Sequence, residues 1–209
     1  MKPKNFFRPA LPQAVWRERG SKDFQMEEKT ISSQQIWQGK FLTLREDKVT
    51  LPNGHEAVRY IIEHPGAVAI IPVTKNKEII MVEQFRKPVE KVLLELPAGK
   101  LEKGEDPLVS AGRELQEETG CVAGKLEKLG SFYSGPGFTN EILYLYLATD
   151  LEQQEACPDE DEFVAVKTIP LDEALQMIEE GKICDGKTII GLLWADRILG
   201  GKQHADSLR

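Results

Sequence analysis

The 209-residue sequence predicts an α/β fold, a mixed sheet with helices on both faces, preceded by a small antiparallel β domain. Three observations predict it. Apolar runs of buried-strand length cluster between residues 67 and 96, and again between 129 and 169. A segment of helical periodicity separates the two clusters, and two more helical segments close the chain. Ahead of them all, Asn53-Gly54 joins two strand-like stretches, a strong hairpin signal. The order β-rich, α, β-rich, α, α suits one sheet covered by helices on either side.

Taken in order, residues 1–25 mix proline, charge and the aromatics Phe6, Phe7 and Trp16 without any period. They read as a leader, disordered or ordered only on contact. Residues 26–63 form the small β domain, with strand-like pattern from 36 onward: 41–44 run towards 48–50, 51–54 turn, and 57–62 return. A two-stranded hairpin of that size has too little core to stand alone. It needs the main domain or a second subunit to cover its apolar set Val58, Tyr60, Ile61 and Ile62. Pro65-Gly66 then punctuates, and residues 64–209 make up the main domain. Strands are expected at 67–73 and 78–82 around the polar turn Lys75-Asn76-Lys77, and at 92–96 leading into Pro97-Ala98. Beyond the central helix, strands are expected at 129–133, 142–148 and 163–169. The closing helices are expected at 171–180, stopped by Gly181, and at 187–199, stopped by Gly200-Gly201.

Composition narrows the function. A chain with 41% hydrophobic and 29% charged residues suits a soluble enzyme of one sizeable domain, or one plus a small partner domain. A net charge of −7 argues against binding a nucleic-acid backbone, which demands a basic patch. Cys121, Cys157 and Cys184 are odd in number and far apart, as reduced structural thiols are. His55, His64 and His204 have no zinc-like partners. No apolar run nears the roughly 20 residues of a membrane span, and no signal core opens the chain. A cytoplasmic location is the expectation.

The chemistry concentrates in residues 99–121. Asp106 suits an N-cap, Pro107 the first helical position, and Gly120 a left-handed C-terminal turn. Leu108, Ala111, Gly112 and Leu115 recur on one face. Glu114, Glu117 and Glu118 crowd another, where like charges repel by a few tenths of a kcal/mol per pair, so something positive should offset them. Carboxylate-only clusters suit hard cations such as Mg²⁺ bridging to phosphates. Taken alone, E-L-Q-E-E reads as the solvated face of a helix.

The wider pattern is more specific. Gly99, Glu105, Arg113-Glu114, Glu117-Glu118 and Gly120 fit G-x5-E-x7-R-E-U-x-E-E-x-G-U, with U a bulky aliphatic. This resembles the Nudix box of the Nudix hydrolases. Cys121 departs from the final aliphatic, which touches packing and leaves the chemistry alone. The resemblance implies an α/β/α sandwich and Mg²⁺-dependent hydrolysis of a phosphoanhydride, with Mn²⁺ as a substitute cation. Bound metals would neutralise the diphosphate and lower the pKa of the attacking water. It further implies Glu114 and Glu118 as metal ligands and catalytic groups, with Glu117 and the Ala98 carbonyl beside them. Gly99, Glu105 and Arg113 become positioning residues.

Segments outside the box resemble one branch of that family, the bacterial ADP-ribose pyrophosphatases. Pro136 lies sixteen residues beyond Gly120, a spacing associated with ADP-ribose specificity, in a stretch resembling an S-P-G-x-x-x-E loop that ends at Glu141. Pro136 between two glycines also reads as a plain tight turn. The segment 84–88 (Q-F-R-K-P) resembles Q-x-R-x-P, which implies that Arg86 reaches the diphosphate or the terminal ribose; an exposed charge is the other reading. The acidic run 158–162 resembles a loop that supplies a glutamate for water activation, Glu160 or Glu162. Phe41 and Arg59 are the positional counterparts of an adenine grip, or serve hairpin packing. The implied reaction gives AMP and ribose 5-phosphate from ADP-ribose, in a homodimer that exchanges its amino-terminal domains. Another nucleoside diphosphate sugar or a dinucleotide is the alternative substrate, and a non-catalytic ADP-ribose sensor the alternative class.

Overall fold

A computed structural model of the chain describes residues 26–154 and 163–200. The amino-terminal portion is a sheet of three antiparallel strands, β1 (Lys29–Gln38), β2 (Thr43–Thr50) and β3 (Glu56–Glu63), in that order. The expected hairpin is present as β2 and β3, closed at Gly54 with φ of 83°. The expectation of only two strands is corrected: β1 adds a third along the outer edge. Its sequence KTISSQQIWQ lacks alternation because all ten residues are exposed, so it is held by the backbone ladder to β2 rather than by a buried face.

The main body follows as β4 (Ala67–Pro72), β5 (Glu78–Arg86), β6 (Lys91–Glu95), β7 (Ala98–Lys100) and α1 (Pro107–Thr119). Then come β8 (Cys121–Tyr133), β9 (Ile142–Gln153), β10 (Val164–Pro170), α2 (Leu171–Glu179) and α3 (Gly186–Leu199). One sheet has the order β7-β4-β9-β8, with β4 and β9 parallel and the other pairs antiparallel; a second has the order β10-β5-β6. The expected mixed sheet is therefore the four-stranded one, flanked by a smaller antiparallel sheet.

Every residue of β4 is buried, because both of its faces are covered. Val68 and Ile70 pack with Ala111 and Leu115 of α1. Ala69 and Ile71 join the opposite core with Leu192 and Ala195 of α3. The sandwich has helices on both sides of the central sheet, as expected. Several bounds differ from those expected: β5 runs on to Arg86, β9 runs on to Gln153, and the short β7 is an added strand. β8 begins at Cys121 rather than 129; its polar Lys125 and Glu127 hide the strand, and a register shift at Lys128/Gly130 breaks its period. Leu108 is 47% exposed, not part of the buried stripe of α1, which starts half a turn later at Ser110.

The small sheet docks on the body through the end of β3. Ile62 N–H donates to the Phe138 carbonyl at 2.8 Å, and Asn140 N–H to the Ile62 carbonyl at 3.3 Å. His64 N–H then donates to Asn140 Oδ1 at 2.7 Å. This contact brings residues 134–141 to the mouth of the site.

Candidate active site

The site begins with α1. Asp106 accepts from Leu108 N–H at 2.8 Å as N-cap, Pro107 opens the helix, and Gly120 closes it at φ of 70°. These caps fix the rotation of α1, and with it the glutamate face. Glu114 and Glu118 are 7% and 3% exposed, so these two box acids are buried rather than solvated, while Glu105 and Glu117 are half-buried. Glu118 Oε2 accepts from Ala98 N–H at 3.0 Å, which holds it against the residue whose carbonyl was expected to be a ligand. Gly99 lies against Glu114: a Cβ there would stand 1.9 Å from the carboxylate carbon. Only glycine admits the acid so close to β7.

The positive charge expected among these acids is Arg113. It donates to Glu105 at 3.0 and 3.1 Å, to Glu114 at 2.9 Å and to Glu117 at 2.7 Å. The bonds to Glu105, with the nearby Glu114 and Glu117 charges, outweigh partial burial and raise its pKa further. Glu105 is in turn held below the usual carboxylate range, chiefly by Arg113. The structure brings the two side chains together beside the acidic face. Among the described residues no three acids, histidines or cysteines are grouped so as to hold a metal ion by themselves. Glu114 and Glu118 nonetheless offer a buried all-oxygen pair, which fits Mg²⁺, because that ion takes one or two carboxylates and fills its shell with phosphate oxygens and water.

Ala98 and Gly99 also floor a cleft of about 520 Å³. Arg86 lines it, at the end of β5, donating to Glu95 from Nε and Nη2, both at 2.8 Å. Phe41 and His64 meet edge to face with centroids 5.8 Å apart, and Lys100 Nζ lies 5.0 Å from the Phe41 ring centre. His64 Nδ1 accepts from Gly66 N–H at 3.1 Å, while its Nε2 faces Glu141 at 3.5 Å. Burial pushes the His64 pKa down, with Lys100 adding to it and Glu141 opposing. Ser134 Oγ donates to Glu141, so that carboxylate is oriented from two sides.

Several expected residues are placed differently. Pro136 sits in the turn between Ser134 and Glu141, which line the cleft while it does not. Arg59 lies outside the cleft of its own chain, on β3, bonded to Glu28 at 2.5 and 2.9 Å. Glu160, Glu162, Gly201 and the leader 1–25 fall outside the described residues. The sequence reading missed Glu95, Asp185 and Lys187, all gathered beside Arg86. A signal existed: Glu95 is a lone acid inside the apolar run V-L-L-E-L, and Asp185 precedes a helical pattern as a capping residue.

Buried paired acids on a capped helix, a glycine that admits them and a cleft above define a Nudix hydrolase, and the chain belongs to that family. The NUDIX domain profile matches residues 63–189, and that of the nucleoside diphosphate sugar hydrolase N-terminal domain matches residues 28–62. Among relatives, the chain is 54% identical over 168 residues to the methanol dehydrogenase activator of Bacillus methanolicus, covering 79% of this chain and 91% of that one. It is 50% identical over 165 residues to the ADP-ribose pyrophosphatase of Bacillus subtilis, covering 78% and 89%. A crystal structure of an ADP compounds hydrolase shares the fold, with a TM-score of 0.77 at 22% identity over 88% of this chain and 99% of that one.

Proposed function

We propose that the enzyme hydrolyses the diphosphate of ADP-ribose to AMP and ribose 5-phosphate with Mg²⁺, for which Mn²⁺ can substitute. The observation that carries the substrate is the 50% identity to an ADP-ribose pyrophosphatase over 89% of that relative. The cleft supports it, with a cationic Arg86 above the box acids and an aromatic Phe41 in its lining. Glu114 and Glu118 would hold the cation, with the Ala98 carbonyl alongside. Bound there, it would neutralise the diphosphate and lower the pKa of the attacking water.

The rest falls to the chain itself. Arg113 and Glu105 orient the acidic face, Arg86 receives the diphosphate, and Glu141, set by Ser134 and His64, receives a ribose hydroxyl. Glu160 or Glu162 supplies the base that takes the proton from water. Residues 26–63 form the dimerisation and substrate domain, 64–209 the catalytic one, and the partner subunit's domain brings Arg59 to the adenine. A cytoplasmic setting agrees with free Cys121 and Cys184. Among the described residues no helix is long and apolar enough to cross a membrane.

A phosphatase-coupled assay across ADP-ribose, ADP-glucose, GDP-mannose and NADH tests the reading, with ADP-ribose expected to lead in kcat/KM. ADP-ribose trailing another compound by tenfold overturns it, and binding without cleavage in excess Mg²⁺ marks a sensor. The 54% relative favours one further reading, action on a dehydrogenase. Adding the protein to methanol dehydrogenase and following turnover tests that reading directly.

A further inference from the structure

One wall of the cleft is a charge cluster outside the Nudix box. Glu95, at the end of β6, is 1% exposed and accepts both nitrogens of the Arg86 fork. Lys187, in the first turn of α3, donates to the same Oε2 that Arg86 Nη2 uses, and to Asp185 at 3.0 Å. Asp185 caps α3, accepting from Thr188 N–H at 3.0 Å and Thr188 Oγ1 at 2.6 Å. Thr188 Oγ1 closes the circuit by accepting from Leu96 N–H at 2.9 Å. The start of α3 is thus tied to the segment that runs through Pro97 into Ala98.

Glu95 and Asp185 set two negative charges against the two positive charges of Arg86 and Lys187, so the wall is balanced only while both cations are present. Burial works against ionisation of Glu95, yet Arg86 and Lys187 together hold it below the usual carboxylate range. The two cations are not equivalent. The Lys187 side chain is 13% exposed and committed to two acids, whereas Arg86 is 37% exposed, with its fork engaged through Nε and Nη2. Among the described residues Arg86 Nη1 makes no hydrogen bond, and the residue lines the cleft.

We infer that Lys187 is a positioning residue for substrate binding: through Glu95 it fixes the Arg86 guanidinium and keeps its charge available to the substrate diphosphate. This rests on the reading of the enzyme as a diphosphate hydrolase. Without Lys187 one cation faces two carboxylates, Glu95 and Asp185, the lysine's bond to Glu95 Oε2 no longer helps to hold the fork, and the cleft loses positive field even though Arg86 is still present.

The test is a double-mutant cycle on full-length protein with K187M, R86Q and the double variant, plus K187R as the conservative exchange. Three quantities are read: steady-state kinetics on the best diphosphate of the substrate panel, cation-free calorimetric Kd for that compound, and the thermal midpoint. K187M should raise KM and Kd roughly tenfold with kcat little changed, since ground-state binding is what weakens. The double variant should be no worse than R86Q, and K187R should recover most of the loss. Additive losses would mean that Lys187 touches substrate itself, and overturn the inference. An unchanged KM with only a lower thermal midpoint would reduce Lys187 to a staple, and an unchanged KM in R86Q would remove Arg86 as the reader; both overturn it too. Should K187M fail to fold, E95Q replaces it in the same cycle and must show the same loss of effect in the R86Q background. If ADP-ribose is not the compound cleaved, the substrate assignment falls, while the cycle still decides the role of Lys187.

Discussion

Gly99 is where backbone and carboxylate chemistry meet most closely, because the Glu114 carboxylate fills the place of a side chain. Gly99→Ala should push Glu114 outward by about an ångström or more and cost on the order of 10² in kcat/KM, the usual penalty for such a misplacement. Far-UV circular dichroism should stay near wild type; near-normal activity in this variant would remove Glu114 from the cation site. Glu114→Gln and Glu118→Gln should each cost on the order of 10² or more in kcat, since each takes charge from a shared site. Glu105→Gln should cost less, because it acts only through Arg113. Turnover of Glu118→Gln at saturating Mg²⁺ is the decisive measurement. These residues were legible because their spacing is local to one strand-loop-helix stretch, from β7 into α1. Lys187 was not legible: its bond to Glu95 spans 92 positions, and nothing local to either residue announces the other.

The same division holds for whole segments of the chain. α1 could be read with its caps because Asp106, Pro107 and Gly120 obey rules of a single turn. β1 could not, because a strand exposed on every residue leaves no periodic trace. Its sheet presents Ile31, Ile36, Trp37, Val58 and Tyr60, each more than two-fifths exposed in the single chain. A sheet with so little cover is marginal by itself. The protein should sediment near twice its 23.5 kDa chain mass, and removal of residues 1–62 should yield a monomer that has lost adenosine recognition. A full-length monomer with undiminished activity at nanomolar concentration would sink the shared-site proposal.

For the molecule as a single cooperative unit, pH is the broadest probe of the cluster that ties α3 to β6. Burial opposes ionisation of both Glu95 and Asp185, but their cationic and hydrogen-bonded partners win, so both are depressed in the folded state. A depressed carboxylate adds stability above its unfolded pKa, about 4, and loses it as pH falls through the folded value. The thermal midpoint should therefore hold from pH 7 to about 5 and fall below about 4. E95Q should begin lower and decline less steeply. A parallel decline in E95Q would show that other acids govern the loss. The layered order of the sheet was legible in the sequence because β4 is apolar throughout, whereas the division into two sheets depends on pairings between distant strands.

Arg113, bonded at 2.7–3.1 Å to Glu105, Glu114 and Glu117, gives the acidic helix an internal counter-ion from the moment the chain folds. On the proposed Mg²⁺ dependence, folding and cation loading would be separate events, unlike small zinc domains in which metal binding supplies the folding energy. Chelator-treated protein should keep its secondary structure and its thermal midpoint to within a few degrees. Activity should return on adding Mg²⁺ with no refolding lag in a stopped-flow trace. On the proposed Mg²⁺ dependence, a chain built this way would wait, folded and idle, and free divalent cation would act on it as a reversible throttle.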